Sequence, residues 1–165
     1  LFEGVYGWVT GPGLADRPYR KAFTLIELLA VIGIVGILAA MVVPQVFSSI
    51  EDARYASAIQ SLRSYTTNII KYRIRHGNLP SDWSDLGYSS PPKDPWGNEY
   101  IYLNHREIPR GKRRKDGPTV PINSDFDLFS PGPDGEWTST IQAKKSIDDV
   151  IVAGDGDFIG RAEDY

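Results

Sequence analysis

One uninterrupted apolar segment dominates the N-terminal part of the chain. Residues 23–43 contain a single charged side chain, Glu27. A helix of this length is roughly 30 Å long, which matches the hydrocarbon core of a bilayer. Three basic residues lie within positions 17–21, just before the segment, and basic residues favour the cytoplasmic side of a membrane. The pattern therefore predicts one membrane-spanning helix with a cytoplasmic N-terminus, and residues 44–165 on the far side.

A second, one-sided helical pattern begins after Pro44. Apolar and aromatic residues recur at intervals of three or four positions, at Tyr55, Ile59, Leu62, Tyr65, Ile69 and Tyr72. Gly77 is a favourable C-cap, so the two patterns together predict one long helix that ends just before it. Pro44 marks the position where this helix is expected to kink or locally melt. The second half, residues 44–76, should pack its aromatic stripe on the core of a small domain.

A proline-rich loop at residues 78–98 separates the helix from two segments with strand character. Residues 99–103 and 126–130 are rich in aromatic and other β-forming residues. They predict two strands of an antiparallel hairpin that packs on the aromatic stripe. Residues 146–149 (Ser-Ile-Asp-Asp) instead have the pattern of a helix N-terminus and predict a short helix. The predicted class is α+β, a long N-terminal helix whose second half packs on a small antiparallel sheet.

Composition narrows the function classes. The sequence has no cysteine, so disulfides, thiolate metal sites and cysteine nucleophiles are excluded. It has two histidines, and neither has a recognisable catalytic partner. The serine-hydrolase and zinc-protease motifs are also missing from the sequence, so an enzyme is not expected.

Charge is unevenly distributed along the chain. Residues 44–115 carry 12 Lys and Arg against 7 Asp and Glu, whereas residues 116–165 carry 3 against 11. Six basic residues fall within residues 106–115, a run that could contact phosphate groups or anionic lipid. Aromatic residues are not interleaved with them. This favours a solvated loop, or a loop that reaches the acidic part of a neighbouring copy, over a nucleic-acid site.

Glu27 is unusual because it lies inside the apolar segment. A carboxylate in such a position costs roughly 2.5–3.5 kcal/mol on insertion, and it usually serves a function with a specific partner. Cleavage between Ala22 and Phe23 would create an α-amino group four residues before Glu27, and this group is cationic at neutral pH. We hypothesise that the amine neutralises Glu27 of an adjacent copy, so that assembly removes two costly charges together.

Residues 21–27 (KAFTLIE) resemble the prepilin peptidase site of type IV pilins and pseudopilins. The resemblance implies that residues 1–22 are a leader removed by the prepilin peptidase, and that Phe23 is then N-methylated. It also implies that the acid in the apolar segment supports assembly. Ala22 departs from the family, which most often has glycine at this position. Residues 1–13 contain no methionine and are expected to precede the genuine leader.

Two later segments resemble the major pseudopilin of type II secretion systems. Residues 94–103 (DPWGNEYIYL) match its strand entry, and residues 126–135 (FDLFSPGPDG) match the stretch that follows. The resemblance implies a pilin fold and a subunit that polymerises with copies of itself into a periplasmic pseudopilus, driving export of folded proteins across the outer membrane. The implied partners are minor pseudopilins, an inner-membrane assembly platform and the prepilin peptidase. The alternative is a type IV pilus subunit for adhesion, motility or DNA uptake.

Aspartates are concentrated in residues 124–157, and oxygen-rich loops without His or Cys suit calcium. The residues alone leave turn formation and helix capping as alternatives. The pseudopilin resemblance implies one calcium ion that stabilises the C-terminal loop region. By alignment, its ligands are the carbonyl of Pro131 and the carboxylates of Asp134, Asp148 and Asp149. The remaining candidate ligands are Asp125, Asp127, Asp155 and Asp157.

Overall fold

The computed structural model describes residues 23–165. Its first element is helix α1, Leu25–His76, which confirms the predicted long helix. The helix ends as predicted, because the amide of Gly77 donates to the carbonyl of Arg73 (2.8 Å) and Gly77 adopts the left-handed conformation (φ 77°). Pro44 lies inside α1, and the helix continues through it without local melting.

The first stretch of the helix buries none of its side chains. Between Phe23 and Val43 the large apolar residues remain about half exposed or more, from 49% for Val43 to 82% for Phe23. This stretch is long and apolar enough to cross a membrane. Since so much contiguous apolar surface is unfavourable in water, the segment requires lipid or other protein chains around it.

Six short strands follow α1. They are β1 Ile101–Asn104, β2 Lys115–Asp116, β3 Val120–Pro121, β4 Phe126–Ser130, β5 Val150–Ala153 and β6 Phe158–Arg161. Four of them form an antiparallel sheet in the order β1-β4-β5-β6, and β2 pairs with β3 in a separate ribbon. Short 3-10 helices lie at Trp83–Leu86, Arg110–Lys112, Gly154–Gly156 and Ala162–Asp164. The fold is therefore α+β and pilin-like, as predicted.

The two predicted strands are confirmed as β1 and β4, which pair with Ile101 opposite Phe129. The short helix predicted at residues 146–149 is wrong, because these residues form turns that lead into β5. The β-branched residues of β5 are buried and paired with β4 and β6, so sheet formation outweighs the local helix-start signal. Strands β2, β3, β5 and β6 have no counterpart in the sequence prediction.

The core lies between the second half of α1 and one face of the sheet. Its fully or almost fully buried members include Ala58, Leu62, Ile69, Tyr100, Leu128, Val150 and Val152. Tyr65 is edge-on to both Trp83 and Tyr100, with ring centroids 5.2 Å apart in each pair. Tyr72, the last residue of the predicted stripe, stacks on His76 instead (4.0 Å). The opposite face of the sheet packs a second cluster, made of Ile122, Phe129, Ile141, Ile151, Ala153 and Ala162.

The two segments that resemble the major pseudopilin contact each other. The buried Asp94 accepts hydrogen bonds from the amides of Trp96 (3.1 Å) and Asn98 (2.8 Å). It also accepts one from the hydroxyl of Ser130 (2.6 Å). Asn98 in turn donates to the carbonyl of Gly132 (2.8 Å). These bonds satisfy a buried carboxylate and fix the turn before β1 to the end of β4, where the predicted calcium loop begins.

Candidate functional site

Phe23 and Glu27, two of the predicted processing and assembly residues, lie at the start of the described structure and in the first turn of α1. Ala22 and the rest of the predicted leader, residues 1–22, lie outside the described residues. Oε2 of Glu27 accepts hydrogen bonds from both the amide (2.9 Å) and the hydroxyl (2.8 Å) of Thr24. The amide of Glu27 donates back to that hydroxyl (3.3 Å), which completes a capping box. The Thr-x-x-Glu spacing is the sequence signal for this capping box. The sequence-based prediction for Glu27 is only pairing with an adjacent copy, and it does not include the box.

The structure brings Asp134 and Asp148 together between the end of β4 and the start of β5, and Pro131 precedes Gly132, which also lies against Asp148. The amide of Asp134 lies 3.4 Å from Oδ2 of Asp148, and Oδ1 of Asp134 accepts a hydrogen bond from the amide of Glu136 (2.7 Å). Gly132 makes this approach possible, because a Cβ there would lie 2.5 Å from the carbonyl oxygen of Asp148. Its positive φ of 65° also favours glycine.

Asp149, the fourth predicted ligand, lies in the interior and forms an ion pair with Arg114. Both side chains are fully buried, and Nη2 of Arg114 is 2.5 Å from Oδ2 of Asp149. Burial raises the pKa of Asp149 to about 7, against the opposing effect of Arg114. Oδ1 of Asp149 is also buried and receives no hydrogen bond from the part of the chain that the structure describes. One oxygen of this carboxylate is therefore paired with a guanidinium, and the other has no donor.

Arg114 is the residue of this site that sequence analysis misses. Its guanidinium also donates to the carbonyl of Thr138 (2.6 Å) and to the hydroxyl of Ser146 (3.3 Å). It lies 4.3 Å from the centre of the Phe129 ring. Arg114 thus connects the segment before β2 to the loop before β5. The sequence offers no local signal for this role, because Arg113 and Arg114 are adjacent residues of the same type and only nonlocal contacts decide which one is buried.

The alternative acidic ligands already have protein partners or are exposed. Asp125 forms an ion pair with Arg73 of α1 (2.6 Å). Asp155, in the left-handed conformation (φ 56°), accepts hydrogen bonds from the amide (2.7 Å) and the hydroxyl (2.9 Å) of Ser124. Asp157 is exposed. Among the described residues, no group of three or more His, Cys, Asp or Glu side chains is arranged to hold a metal ion.

Asp127, the last alternative ligand, is buried beside His105. Nε2 of His105 lies 2.9 Å from Oδ2 of Asp127, and Nδ1 lies 3.1 Å from the carbonyl oxygen of Ser124. Carbonyl and carboxylate oxygens accept hydrogen bonds, so both contacts are satisfied at once when each ring nitrogen carries a proton, as in the imidazolium form of His105. Burial lowers the pKa of His105, but the hydrogen bond and the charge of Asp127 outweigh it, and the pKa lies above its ordinary value.

The stability of the domain is expected to fall as the pH rises above about 6.5, the ordinary pKa of histidine. The pKa of His105 is higher in the folded chain than in the unfolded chain. Its stabilising contribution is therefore complete below the unfolded-state pKa and is lost as the pH rises through the folded-state pKa. Thermal unfolding of the detergent-solubilised chain from about pH 6 to about pH 9 measures this loss.

The variant His105→Gln is the control for this pH dependence, and its stability should decline less steeply and become constant above about pH 8. The pKa of Asp149 is about 7 in the folded chain, so burial of this carboxyl also lowers stability from about pH 4 to about pH 8, and this part of the decline should be the same in both proteins. An equally steep decline in the variant would contradict the role of His105.

Comparison with known proteins identifies the family. The prokaryotic N-terminal methylation motif matches residues 17–43. A type II secretion system core protein G from Pseudomonas aeruginosa is 34% identical over 141 residues, which cover 73% of this chain and 89% of that relative. The chain belongs to the type II secretion system core protein G family. Another core protein G, from Escherichia coli, is 27% identical over 137 residues, 71% of this chain and 84% of the relative.

Pilins are also similar to this core protein G family member, but over a shorter part of the chain. A type IV major pilin, PilE1 from Neisseria gonorrhoeae, is 36% identical over 92 residues, which cover 56% of this chain and 54% of that pilin. No solved structure matches the chain. The core protein G matches extend over most of both chains and confirm the resemblance predicted from the sequence.

Proposed function

We propose that this chain is the subunit that polymerises into the periplasmic pseudopilus of a type II secretion system and drives the export of folded proteins across the outer membrane. The observation that carries the proposal is the 34% identity to a core protein G over 89% of that relative's length. The methylation motif at residues 17–43 and the exposed apolar stretch of α1 support the same role.

The path into the filament follows from the chemistry of the N-terminal segment. The prepilin peptidase cleaves between Ala22 and Phe23, and Phe23 is then N-methylated. The apolar residues 23–43 hold the subunit in the inner membrane, with residues 44–165 in the periplasm. On assembly, the α-amino group of one copy neutralises Glu27 of another. The inner-membrane assembly platform and the minor pseudopilins are the other partners of the growing filament.

Deletion of the gene, together with mass spectrometry of native filaments, tests this proposal. We expect the deletion strain to retain its exported proteins in the periplasm. We also expect subunits from sheared filaments to begin at methylated Phe23. A strain that still exports these proteins but loses surface pili, adhesion or DNA uptake would support the type IV pilus alternative instead. Assembled subunits that keep residues before Phe23 would contradict the processing step.

The proposal includes one calcium ion between the loop after β4 and the loop before β5. Asp134 and Asp148 meet across Gly132, and the unpartnered Oδ1 of buried Asp149 is an acceptor of the kind that a cation satisfies. The described residues do not arrange these three carboxylates as a metal site, so the two loops would have to shift for them and the carbonyl of Pro131 to hold one ion. When bound, calcium would supply a hard positive charge that joins two loops in a chain without cysteine.

Chelation of calcium is expected to lower the melting temperature of the domain and its resistance to proteolysis. A ligand at a hundred times its Kd stabilises the folded state by about 2.7 kcal/mol, which corresponds to on the order of 10 °C for a domain of this size. The variant Asp148→Asn should lose the chelator effect, whereas Asp157→Asn, at an exposed alternative position, should keep it. An unchanged melting temperature after chelation would remove the metal from the proposal.

A further inference from the structure

The basic run at residues 106–115 forms part of an open cleft. The cleft has a volume of about 440 Å³ and is lined by Arg110, Gly111, Arg113, Lys115, Pro118, Thr119 and Pro121. No Asp or Glu within the described residues forms an ion pair with Arg110, Lys112, Arg113 or Lys115. This cationic cleft therefore presents positive charge that the described part of the chain does not neutralise.

Hydrogen bonds hold the cationic cleft in place. Nη2 of Arg113 donates to the carbonyl of His105 (2.7 Å), and the amide of Lys115 donates to the carbonyl of Ser139 (2.7 Å). Between them, Arg114 is anchored to the interior by its buried ion pair. The basic side chains thus project from a fixed backbone, which reduces the entropy lost when a partner binds.

Exposed acidic residues lie at both ends of β6, an edge strand of the four-stranded sheet. Asp157 precedes the strand and Asp164 follows it. Between them, Arg161 is neutralised by its ion pair with Glu163. Neither Asp157 nor Asp164 forms an ion pair with a basic residue of the described chain. Two different and complementary surfaces on one subunit generate head-to-tail contacts, and such contacts produce open helical polymers when the rotation does not close.

We propose that the cationic cleft of one subunit binds the acidic surface around β6, Asp157 and Asp164, of a neighbouring copy. The contact is salt-dependent and helps to fix the register between subunits in the polymer. This inference rests on the proposed function, because it requires that the chain assembles. If these charges only kept the surface solvated, or only protected the edge strand from pairing, a substitution on one surface would not change the effect of a substitution on the other.

Charge reversal on each surface tests the proposal in the full processed chain. Arg110→Glu with Lys115→Glu changes the summed charge of the residues that line the cleft from +3 to −1, and Asp157→Lys with Asp164→Lys reverses the acidic surface. At about 0.15 M salt, each double variant should need roughly tenfold more subunit to form sedimentable filaments, because like charges then face each other. The variant that combines all four substitutions should recover assembly, because opposite charges face each other again.

A matched control changes the net charge by the same amount at other exposed positions. Lys93→Glu with Lys144→Glu should assemble like the unmodified chain. The inference is overturned if the reversed cleft behaves like this control, or if the combined variant does not recover. It is also overturned if reversal of the cleft abolishes binding to DNA or to anionic vesicles while filaments form normally. An unmodified chain that forms no filament would refute the proposed function itself, and the inference with it.

Discussion

Replacement of Arg114 by methionine is expected to lower the free energy of unfolding by about 3–5 kcal/mol, a large part of the 5–15 kcal/mol that is typical of a domain. The substitution leaves the carboxylate of Asp149 buried without its charge partner. It also removes the donor to the carbonyl of Thr138 and a donor to the hydroxyl of Ser146. Urea unfolding of the detergent-solubilised chain, followed by tryptophan fluorescence, measures the loss.

Arg113→Met is the matched control for this experiment. Arg113 is the neighbouring residue and is half-buried, but it has no acidic partner in the described structure, so its loss should cost about 1 kcal/mol. The double variant Arg114→Met with Asp149→Leu should regain most of the stability, because apolar side chains can replace a buried ion pair. If Arg114→Met is no less stable than Arg113→Met, the buried pair is not a major source of stability.

Both Glu27→Ala and Glu27→Gln are expected to abolish filament assembly while the chain remains in the membrane fraction. Glutamine retains the ability to form the capping box with Thr24 but carries no charge, so it removes only the pairing with the amine of a neighbouring copy. An unpaired carboxylate in lipid costs roughly 2.5–3.5 kcal/mol, and the pairing would relieve this cost during assembly. Sedimentation of sheared filaments, compared with the amount of subunit in the membrane, measures the effect.

Thr24→Val tests the capping role of Glu27 separately from its charge pairing with a neighbouring copy. It removes the hydroxyl that takes part in the capping box and leaves the carboxylate charged, so assembly should continue. If Glu27→Gln assembles normally and Thr24→Val does not, the acid acts as a helix cap, and the proposed pairing between copies is wrong.

Helix α1 could be predicted because its signals are local. The three-and-four spacing between Tyr55 and Ile69 and the cap at Gly77 each act within a few residues. Ala58 and Thr66 are also buried on this face, but the apolar pattern does not reveal them because one is small and the other is polar. Strands β1 and β4 could also be predicted from the sequence, because both contain aromatic residues.

The candidate site depends on nonlocal contacts, so less of it could be predicted. Asp148 and Asp149 are adjacent, yet Asp148 lies against Gly132 in a surface loop while Asp149 contacts Arg114 in the interior. The turn before β5 gives these two neighbouring carboxylates different contacts, and only the folded chain shows which one is buried. Strand β5 was missed for a related reason, because a helix-like start precedes it and only its pairing with β4 and β6 shows its structure.

The exposed apolar stretch of α1 determines where unassembled subunits reside. Fourteen large apolar side chains between Phe23 and Val43 remain about half exposed or more, and sheltering the rest of this surface is worth roughly 10–20 kcal/mol. A single copy therefore has no stable aqueous state and exchanges only between the bilayer and other copies. The polymer grows from a two-dimensional reservoir, so its growth rate should follow the surface density of subunits in the lipid and not their amount per volume of periplasm.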